Sequence, residues 1–206
     1  MQLFLTTASP SNAVYADASG SSQYKISTPF GVRHRITTIS RVVERDIPRR
    51  WSSSSNGTTP SSNGHGAGVG NGGDRFALLA RVDWRLFDSS VIHFRGRELA
   101  TREFFRKEGW GWYGRHRVFT ARDGREFKWI LGAYTSELQL NDSAETPVAI
   151  YRPKKLGLFS KPRKASLEIF PPFEDILDEI MVTFAYIERL RKTKERTARS
   201  PTLLNK

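Results

Sequence analysis

Residues 152–164 contain six cations and no acid, a pattern suited to binding an anionic surface. An apolar tip of Leu156, Leu158 and Phe159 lies within the same stretch. Cations bind lipid headgroups while apolar side chains insert shallowly, so the pattern predicts docking onto an anionic membrane. The alternative is a solvated hairpin in which Leu156 and Phe159 point inward. The predicted membrane-binding residues are Arg152, Lys154, Lys155, Leu158, Phe159, Lys161, Arg163 and Lys164.

A second cluster, between Trp110 and Arg117, mixes aromatic and basic residues. Rings that stack on bases and cations that neutralise phosphates make this a candidate surface for nucleic acid, or for another protein. The competing interpretation is a glycine-permitted turn whose rings plug one end of the fold. The residues of this alternative binding surface are Trp110, Trp112, Tyr113, Arg115 and Arg117.

The usual signatures of catalysis and metal binding are missing from the sequence. It has no cysteine, which excludes disulfides, thiolate nucleophiles and Cys-ligated metals. Its four histidines lack the H-E-x-x-H spacing, and neither a G-x-S-x-G elbow nor a P-loop occurs. Gly109–Gly114 matches G-x-G-x-x-G but has no strand before it and no helix after it, so it does not predict a dinucleotide site. We therefore expect a non-enzymatic protein without cofactor or metal.

Length and charge narrow the class of protein further. The chain has 206 residues, enough for one folded domain, and its formal charge is 33 − 21 = +12. Such an excess favours anionic partners, and we rank a membrane surface above nucleic acid. Residues 1–10 lack the features of a signal peptide, and no stretch approaches the ~20 apolar residues of a spanning helix. The expected location is intracellular and cytoplasmic, with peripheral attachment to membranes.

Short segments with strand-like patterns recur along the chain, among them Gln2–Leu5, Ala13–Ala16, Val91–Phe94, Arg117–Thr120 and Glu126–Leu131. The clearest is Phe76–Phe87, where Phe76, Leu78 and alternate residues beyond them are apolar. Asp123–Gly124 predicts a two-residue hairpin turn, because glycine tolerates a positive φ. About a dozen short strands with close turns predict an antiparallel sheet closed into a barrel, which removes exposed edges.

Two helices are predicted to accompany these strands, a brief one over Thr101–Lys107 and a long one over Phe173–Arg196. The long helix begins with acidic residues and ends with basic ones, which suits the helix dipole. Its segment Ile180–Ile187 is uncharged and mostly apolar around the whole circumference. This part of the helix is therefore expected to be surrounded by protein.

One segment interrupts the predicted domain. Residues 52–73 contain seven Gly, six Ser and no charged residue, a composition typical of a disordered insert. The predicted organisation is a single barrel domain over residues 1–196 with this insert, followed by a flexible basic tail at 197–206.

Longer strings carry a resemblance to a known family. They are EFFRKEGWGWYGRHRVFTARDGREFKWILG at Glu103–Gly132, then LNDSAETPVAIYR, KLGLFSKPRKASLEIF and VTFAYIERLRKTKER. These strings resemble small fungal proteins known only as a domain of unknown function. That domain is in turn similar to the tubby C-terminal, phospholipid-scramblase and LURP-one-related barrels. The resemblance covers Leu3 to about Arg196, apart from the insert.

The resemblance implies a closed barrel of about twelve strands, tubby C-terminal-like, with a hydrophobic C-terminal helix threaded through it. It implies no catalytic residue. Tubby-like members bind phosphoinositides and scramblase-like members act at membranes. The sequence thus predicts a non-enzymatic domain that docks on anionic phospholipid or phosphoinositide surfaces, with the Trp110–Arg117 surface as the alternative.

Overall fold

The computed structural model describes residues 1–29, 36–43, 74–85, 89–157 and 161–199. These residues form thirteen strands and two α-helices. The strands are β1 (Gln2–Leu5), β2 (Ala13–Ala16), β3 (Ser22–Ser27), β4 (Ile36–Val43), β5 (Arg75–Asp83), β6 (Val91–Phe94), β7 (Arg97–Ala100), β8 (Arg106–Gly111), β9 (Gly114–Thr120), β10 (Glu126–Leu131), β11 (Ser136–Leu140), β12 (Pro147–Arg152) and β13 (Ser166–Ile169). The helices are α1 (Thr101–Phe104) and α2 (Leu177–Arg199), and a 3-10 turn at Phe173–Ile176 leads into α2.

All thirteen strands belong to one antiparallel sheet, which confirms the mainly β prediction. Its order is β7-β6-β5-β4-β3-β2-β1-β13-β12-β11-β10-β9-β8, so β7 and β8 are the two edges. Because the number of antiparallel strands is odd, these two edges run in the same direction. Parallel neighbours are usually joined by a dozen or more residues, whereas only Thr101–Phe105 joins β7 to β8. Pairing of the described strands stops at these edges, and closure into a barrel stays a prediction.

The helix α2 occupies the centre of the core. Every residue from Ile180 to Ile187 is buried, as the apolar circumference predicts. Phe184 is 0 % exposed, and its ring contacts aromatic rings from strands far apart in the sheet, those of Tyr15, Trp129 and Tyr151. Side chains from both halves of the sheet therefore pack on one helix, which explains why its apolar surface extends around the whole circumference.

Aromatic rings from distant parts of the sheet also meet at α2. Tyr186 of the helix stacks with Trp84, which follows β5, and with Phe105, which precedes β8, with ring centroids 5.3 and 5.0 Å away. Stacking of this kind adds to the stabilisation that burial gives. Tyr186 thus links the segments next to β5 and β8 through the core.

The short helix differs from its prediction. The structure has α1 over Thr101–Phe104 only, and the following residues form β8, a strand that the sequence did not predict. Arg106 and Lys107 lie opposite Val118 and Arg117 of β9. An isolated helix of two turns is marginal, and the ladder of a neighbouring hairpin outweighs its weak propensity.

Two further details of the strands are corrected. The pairing of β4 with β5 shifts between Ile39 and Ser40, so Leu79 is an extra residue and Leu78 turns outward, 66 % exposed. The hairpin between β9 and β10 has three residues in its loop rather than two. Ala121 donates to the carbonyl of Arg125 at 2.9 Å, and Gly124 has the expected positive φ of 82°.

The C-terminal helix continues to Arg199, three residues beyond the predicted end. The predicted insert 52–73 lies outside the described residues, as do residues 200–206 of the predicted tail. No helix in the described ranges is long and apolar enough to cross a membrane.

Candidate functional site

The two predicted binding clusters lie at the same end of the sheet. Strands β8 to β13 form a continuous antiparallel run, so the connections after β8, β10 and β12 all emerge on one side. The first and last of these connections hold the two clusters, about 19 Å apart along the sheet at ~4.8 Å per strand spacing. The last turns of α2 reach this end too, because the Arg191 guanidinium donates to the carbonyl of Ala133 at 3.4 Å. We call this region, residues 110–115, 132–135, 153–165 and 189–199, the basic end.

The hairpin after β12 extends beyond the sheet. Lys155 and Arg163 form a backbone bridge, with N–H to carbonyl distances of 2.9 and 3.1 Å. Four lysines of this hairpin are exposed, and none of them has an ion pair with a carboxylate in the described ranges. Their charges are therefore available to a ligand. They are Lys154, Lys155, Lys161 and Lys164.

The two arginines of this hairpin have internal partners. Arg152 donates to the Glu168 carboxylate at 2.8 Å and is half-buried. The guanidinium of Arg163 donates to the carbonyl of Pro153 at 3.4 Å, and this side chain is also half-buried. Both arginines therefore hold the hairpin together, which makes them weaker candidates for ligand contact than the lysines.

One residue of the apolar tip, Leu156, lies within the described residues, and its side chain points into solvent. Leu156 is 78 % exposed, so the inward-pointing alternative is wrong for this residue. The next residue, Gly157, has a φ of 86° and packs against Pro162, which turns the chain sharply. Leu158 and Phe159, the other predicted tip residues, lie outside the described residues.

The second cluster lies on the β8–β9 hairpin. Gly111 pairs with Gly114, which leaves Trp112 and Tyr113 as the turn. Trp110 and Trp112 are 79 % and 83 % exposed, so the prediction that they plug the fold is wrong for both. Tyr113 is half-buried and packs on the core, and for this residue the plug interpretation fits.

Arginines of the second cluster have different environments. Arg115 is exposed and donates to the carbonyl of Lys107 at 2.8 Å. Arg117 is buried, because it lies opposite Trp129 of β10 and both side chains face the core. Its guanidinium donates to the carbonyls of Arg115 and His116. Arg117 is therefore a weaker candidate for the alternative binding surface than Arg115.

One further aromatic residue joins the basic end. Tyr134, in the β10–β11 turn, is 81 % exposed and was not predicted as a binding residue. With it, the four most exposed large apolar side chains in the described part of the chain all lie on three connections of this end. They are Trp110, Trp112, Tyr134 and Leu156. The sequence does contain a signal for Tyr134 as a surface residue, because its aromatic side chain lies in a short turn that follows Gly132.

The end of α2 adds positive charge that the sequence indicated only as a complement to the helix dipole. Residues 189–199 hold six cations and one acid, Glu195, which pairs with Arg191 and Arg199. Burial lowers the pKa of Lys192, and neighbouring Arg191 lowers it further. Lys194 lies beside the β8–β9 turn, its Nζ 3.1 Å from where a Cβ on Gly114 would lie. The helix end and the hairpins thus form one continuous cationic region.

The opposite end of the sheet is highly charged as well, and the charges around the start of α2 are paired. We call it the ion-paired end: the first turn of α2 with the connections after β2, β6, β9 and β11. Arg95 binds both carboxylate oxygens of Glu179, at 2.7 and 3.3 Å. Asp178 accepts from the Tyr24 hydroxyl at 2.6 Å and from Arg41 at 3.3 Å. Burial and this hydrogen bond to Asp178 raise the pKa of Tyr24 well above its usual range.

Comparison with known proteins identifies the family of the chain. A family of unknown function (DUF6593) matches residues 8–193, and the chain belongs to that family. No curated protein matches the chain, and neither does any solved structure. In the described ranges, no group of three or more His, Asp or Glu side chains is placed to hold a metal ion.

Proposed function

We propose that this protein is a non-enzymatic domain that docks on anionic phospholipid surfaces through its basic end. One observation carries the proposal: the four most exposed large apolar side chains of the described residues share one end of the sheet with four lysines that lack described ion pairs. A location at the cytoplasmic face of a membrane, and phosphoinositides as candidate lipids, belong to the same proposal.

The chemistry of the basic end suits the boundary of a bilayer. Tryptophan and tyrosine prefer the headgroup level, where the ring is apolar and its N–H or O–H group is hydrated. Lysines near an anionic bilayer contribute about 1 kcal/mol each, so Lys154, Lys155, Lys161 and Lys164 together would supply roughly 4 kcal/mol. Attraction and shallow insertion combined give the two contributions that stable peripheral binding requires.

The relationship to tubby-like barrels is also proposed. We infer that the sheet encloses α2 in a barrel-like manner, with Tyr186 stacked on rings from the segments next to β5 and β8. Its support is the stack of Tyr186 with Trp84 and Phe105 and the complete burial of Phe184. Fold likeness alone is a weak argument for function, so the surface chemistry carries the proposal.

A second candidate function is binding of single-stranded nucleic acid. Exposure of Trp110 and Trp112 beside Arg115 favours it, because bases stack on such rings while cations meet phosphates. The lysines of the β12–β13 hairpin would meet phosphates as well, but the exposed apolar side chain of Leu156 has no role in this alternative. Membrane docking uses all of these groups, and we therefore rank it first.

Vesicle flotation tests the proposal. We expect wild-type protein to float with vesicles of phosphatidylcholine plus phosphatidylserine, more strongly still with added phosphoinositide, and to stay behind with phosphatidylcholine alone. The double variant Lys154→Glu with Lys155→Glu should lose about a hundredfold or more in affinity, because four units of charge change near the bilayer. Its control, Arg75→Glu with Arg97→Glu, changes the same charge on exposed residues at the ion-paired end and should bind nearly as wild type.

Two results would contradict the proposal. Wild-type protein that ignores anionic vesicles at low salt rules out membrane docking. Equal losses in the two double variants would mean that net charge, rather than the basic end, determines binding. If the protein instead shifts a single-stranded oligonucleotide and Trp112→Ala abolishes that shift, the second candidate function replaces the first.

A further inference from the structure

His116 of β9 lies against β8, the strand that carries the exposed Trp110. Its ring packs closely on the backbone of β8: a Cβ on Gly111 would lie 2.7 Å from Cε1, and a Cβ on Gly109 would lie 3.0 Å from Cδ2. Only glycine fits this closely at either position. The residue between these two glycines is Trp110, and here the pairing of β8 with β9 shifts its register. The ring of His116 therefore packs against both glycines that flank Trp110 at this bulge.

The ring nitrogens of His116 differ in their surroundings. Nδ1 is buried and has no hydrogen-bond partner within the described residues. A neutral ring with its proton on Nε2 leaves only an unused lone pair at Nδ1. Protonation would place an N–H there without an acceptor, and a buried donor without a partner is unfavourable. The observed packing thus suits the neutral ring.

The charged groups near His116 come from four elements. Lys128 of β10 and Arg117 of β9 oppose a positive charge on the ring, whereas Glu108 of β8 and Glu145 of the β11–β12 connection favour one. Burial is the largest influence and lowers the pKa of His116 below its usual 6.5, with Lys128 next. Because Glu145 is paired with Lys128 at 2.9 Å, its carboxylate is partly neutralised.

We propose that neutral His116 is a positioning residue that holds Trp110 in the orientation used for docking, and that protonation of its ring releases this bulge. The inference rests on the proposed function for its consequence, since a released Trp110 inserts less well. A protein docked at neutral pH would detach more readily in an acidified compartment, even though acid makes the protein more positive.

Hydrogen exchange of the full chain tests, without any membrane, whether protonation of His116 releases the Trp110 bulge; this is the structural half of the inference. We expect protection factors for the amides of Gly109, Trp110 and Gly111 to fall at least fivefold between about pH 7.5 and pH 5.5 in wild-type protein. In His116→Gln, which cannot titrate, they should not change over this range. The control is His93→Gln, because His93 contacts Asp83 and Glu98 near the other edge of the sheet and should leave the response of the β8–β9 tip intact.

Flotation with phosphatidylcholine–phosphatidylserine vesicles tests the functional half of the inference, that protonation of His116 weakens docking. The ratio of wild-type to His116→Gln affinity should fall about fivefold over the same pH range. Wild-type protection that is constant with pH, or a response that persists in His116→Gln, would overturn the inference. If His116→Gln does not fold, the wild-type exchange profile still decides the structural half. Protein that fails to bind vesicles at all contradicts the proposed function, while the exchange profile judges His116 separately.

Discussion

The two ends of this molecule are both rich in charged side chains but use them differently. At the ion-paired end, Arg95 and Arg41 bind the carboxylates at the start of α2, Glu179 and Asp178. At the basic end, the lysines of the β12–β13 hairpin have no such partner in the described ranges, and exposed rings lie beside them. Charges that satisfy one another contribute to stability, whereas unsatisfied charges beside apolar side chains are available to a ligand.

The helix α2 is the element that creates this difference. Its first turn is acidic and its last turns are basic, as the dipole favours, and its burial in the sheet places these two halves at opposite ends. The same polarity that stabilises the helix therefore also separates the ion-paired end from the basic end.

The largest effect should come from the segment between the two ends. Phe184→Ala removes a ring that contacts Tyr15, Trp129 and Tyr151, and we expect the free energy of unfolding to fall by about 3–5 kcal/mol. Phe184→Asp should not fold, because an unpaired charge would be buried. Denaturant unfolding measures the first change. A soluble, cooperatively unfolding Phe184→Asp protein would contradict the central position of α2.

An intermediate effect should follow from a change at the ion-paired end. Glu179→Gln removes the charge that Arg95 binds, and unfolding should become easier by roughly 1–3 kcal/mol, less than for a fully buried pair because Arg95 is 37 % exposed. Vesicle binding of the folded variant should match that of wild type. If Glu179→Gln lost vesicle binding while its stability stayed unchanged, the proposed difference between the two ends would be contradicted.

The reverse outcome is expected at the basic end. Trp112→Ala and Tyr134→Ala remove exposed rings, so unfolding should change by no more than about 0.5 kcal/mol. Affinity for anionic vesicles should fall about tenfold in each, with its dependence on salt nearly unchanged, since apolar insertion is not screened. A marked change in melting temperature would show that these rings contribute to the fold.

The smallest effect concerns pH. Because burial lowers the pKa of His116 in the folded protein, the stability linked to this ring is complete above about pH 6.5 and is lost as the pH falls through the lowered value. His116→Gln should lack this contribution. Unfolding free energies measured at about pH 7.5 and pH 5.5 should therefore differ less in the variant than in wild type. If the free energy of unfolding changed equally with pH in both proteins, the effect could not be assigned to His116.

Local patterns were sufficient to predict much of this architecture. The strand-like patterns predicted the bounds of β1, β2, β6 and β10 correctly. The uncharged, mostly apolar segment Ile180–Ile187 correctly predicted that this part of the helix is buried. The inward orientation of Arg117 was also accessible, since in the predicted strand Arg117–Thr120 it shares a face with Phe119. Basic residues in a strand suggest a surface, and this expectation outweighed the periodicity.

Other features depend on pairing between distant segments. The strand β8 was missed because it exists through its ladder with β9, which overrides the short helical pattern at Thr101–Lys107. The two binding clusters were weighed as competitors, yet strand order places both at one end of the sheet with Tyr134 between them. Register and strand order are non-local properties, so a single sequence does not contain this juxtaposition in any local pattern.

Labels at the two ends would test the central claim most directly. Since the chain has no cysteine, one introduced thiol is the sole site for an environment-sensitive fluorophore. Leu156→Cys and Tyr134→Cys place it at the basic end, and Ala18→Cys and Ala144→Cys place it on exposed turns at the ion-paired end. With phosphatidylserine-containing vesicles, we predict a blue shift and quenching by brominated lipid for the first pair only. Equal responses at both ends, or a response confined to Ala18→Cys and Ala144→Cys, would contradict docking through the basic end.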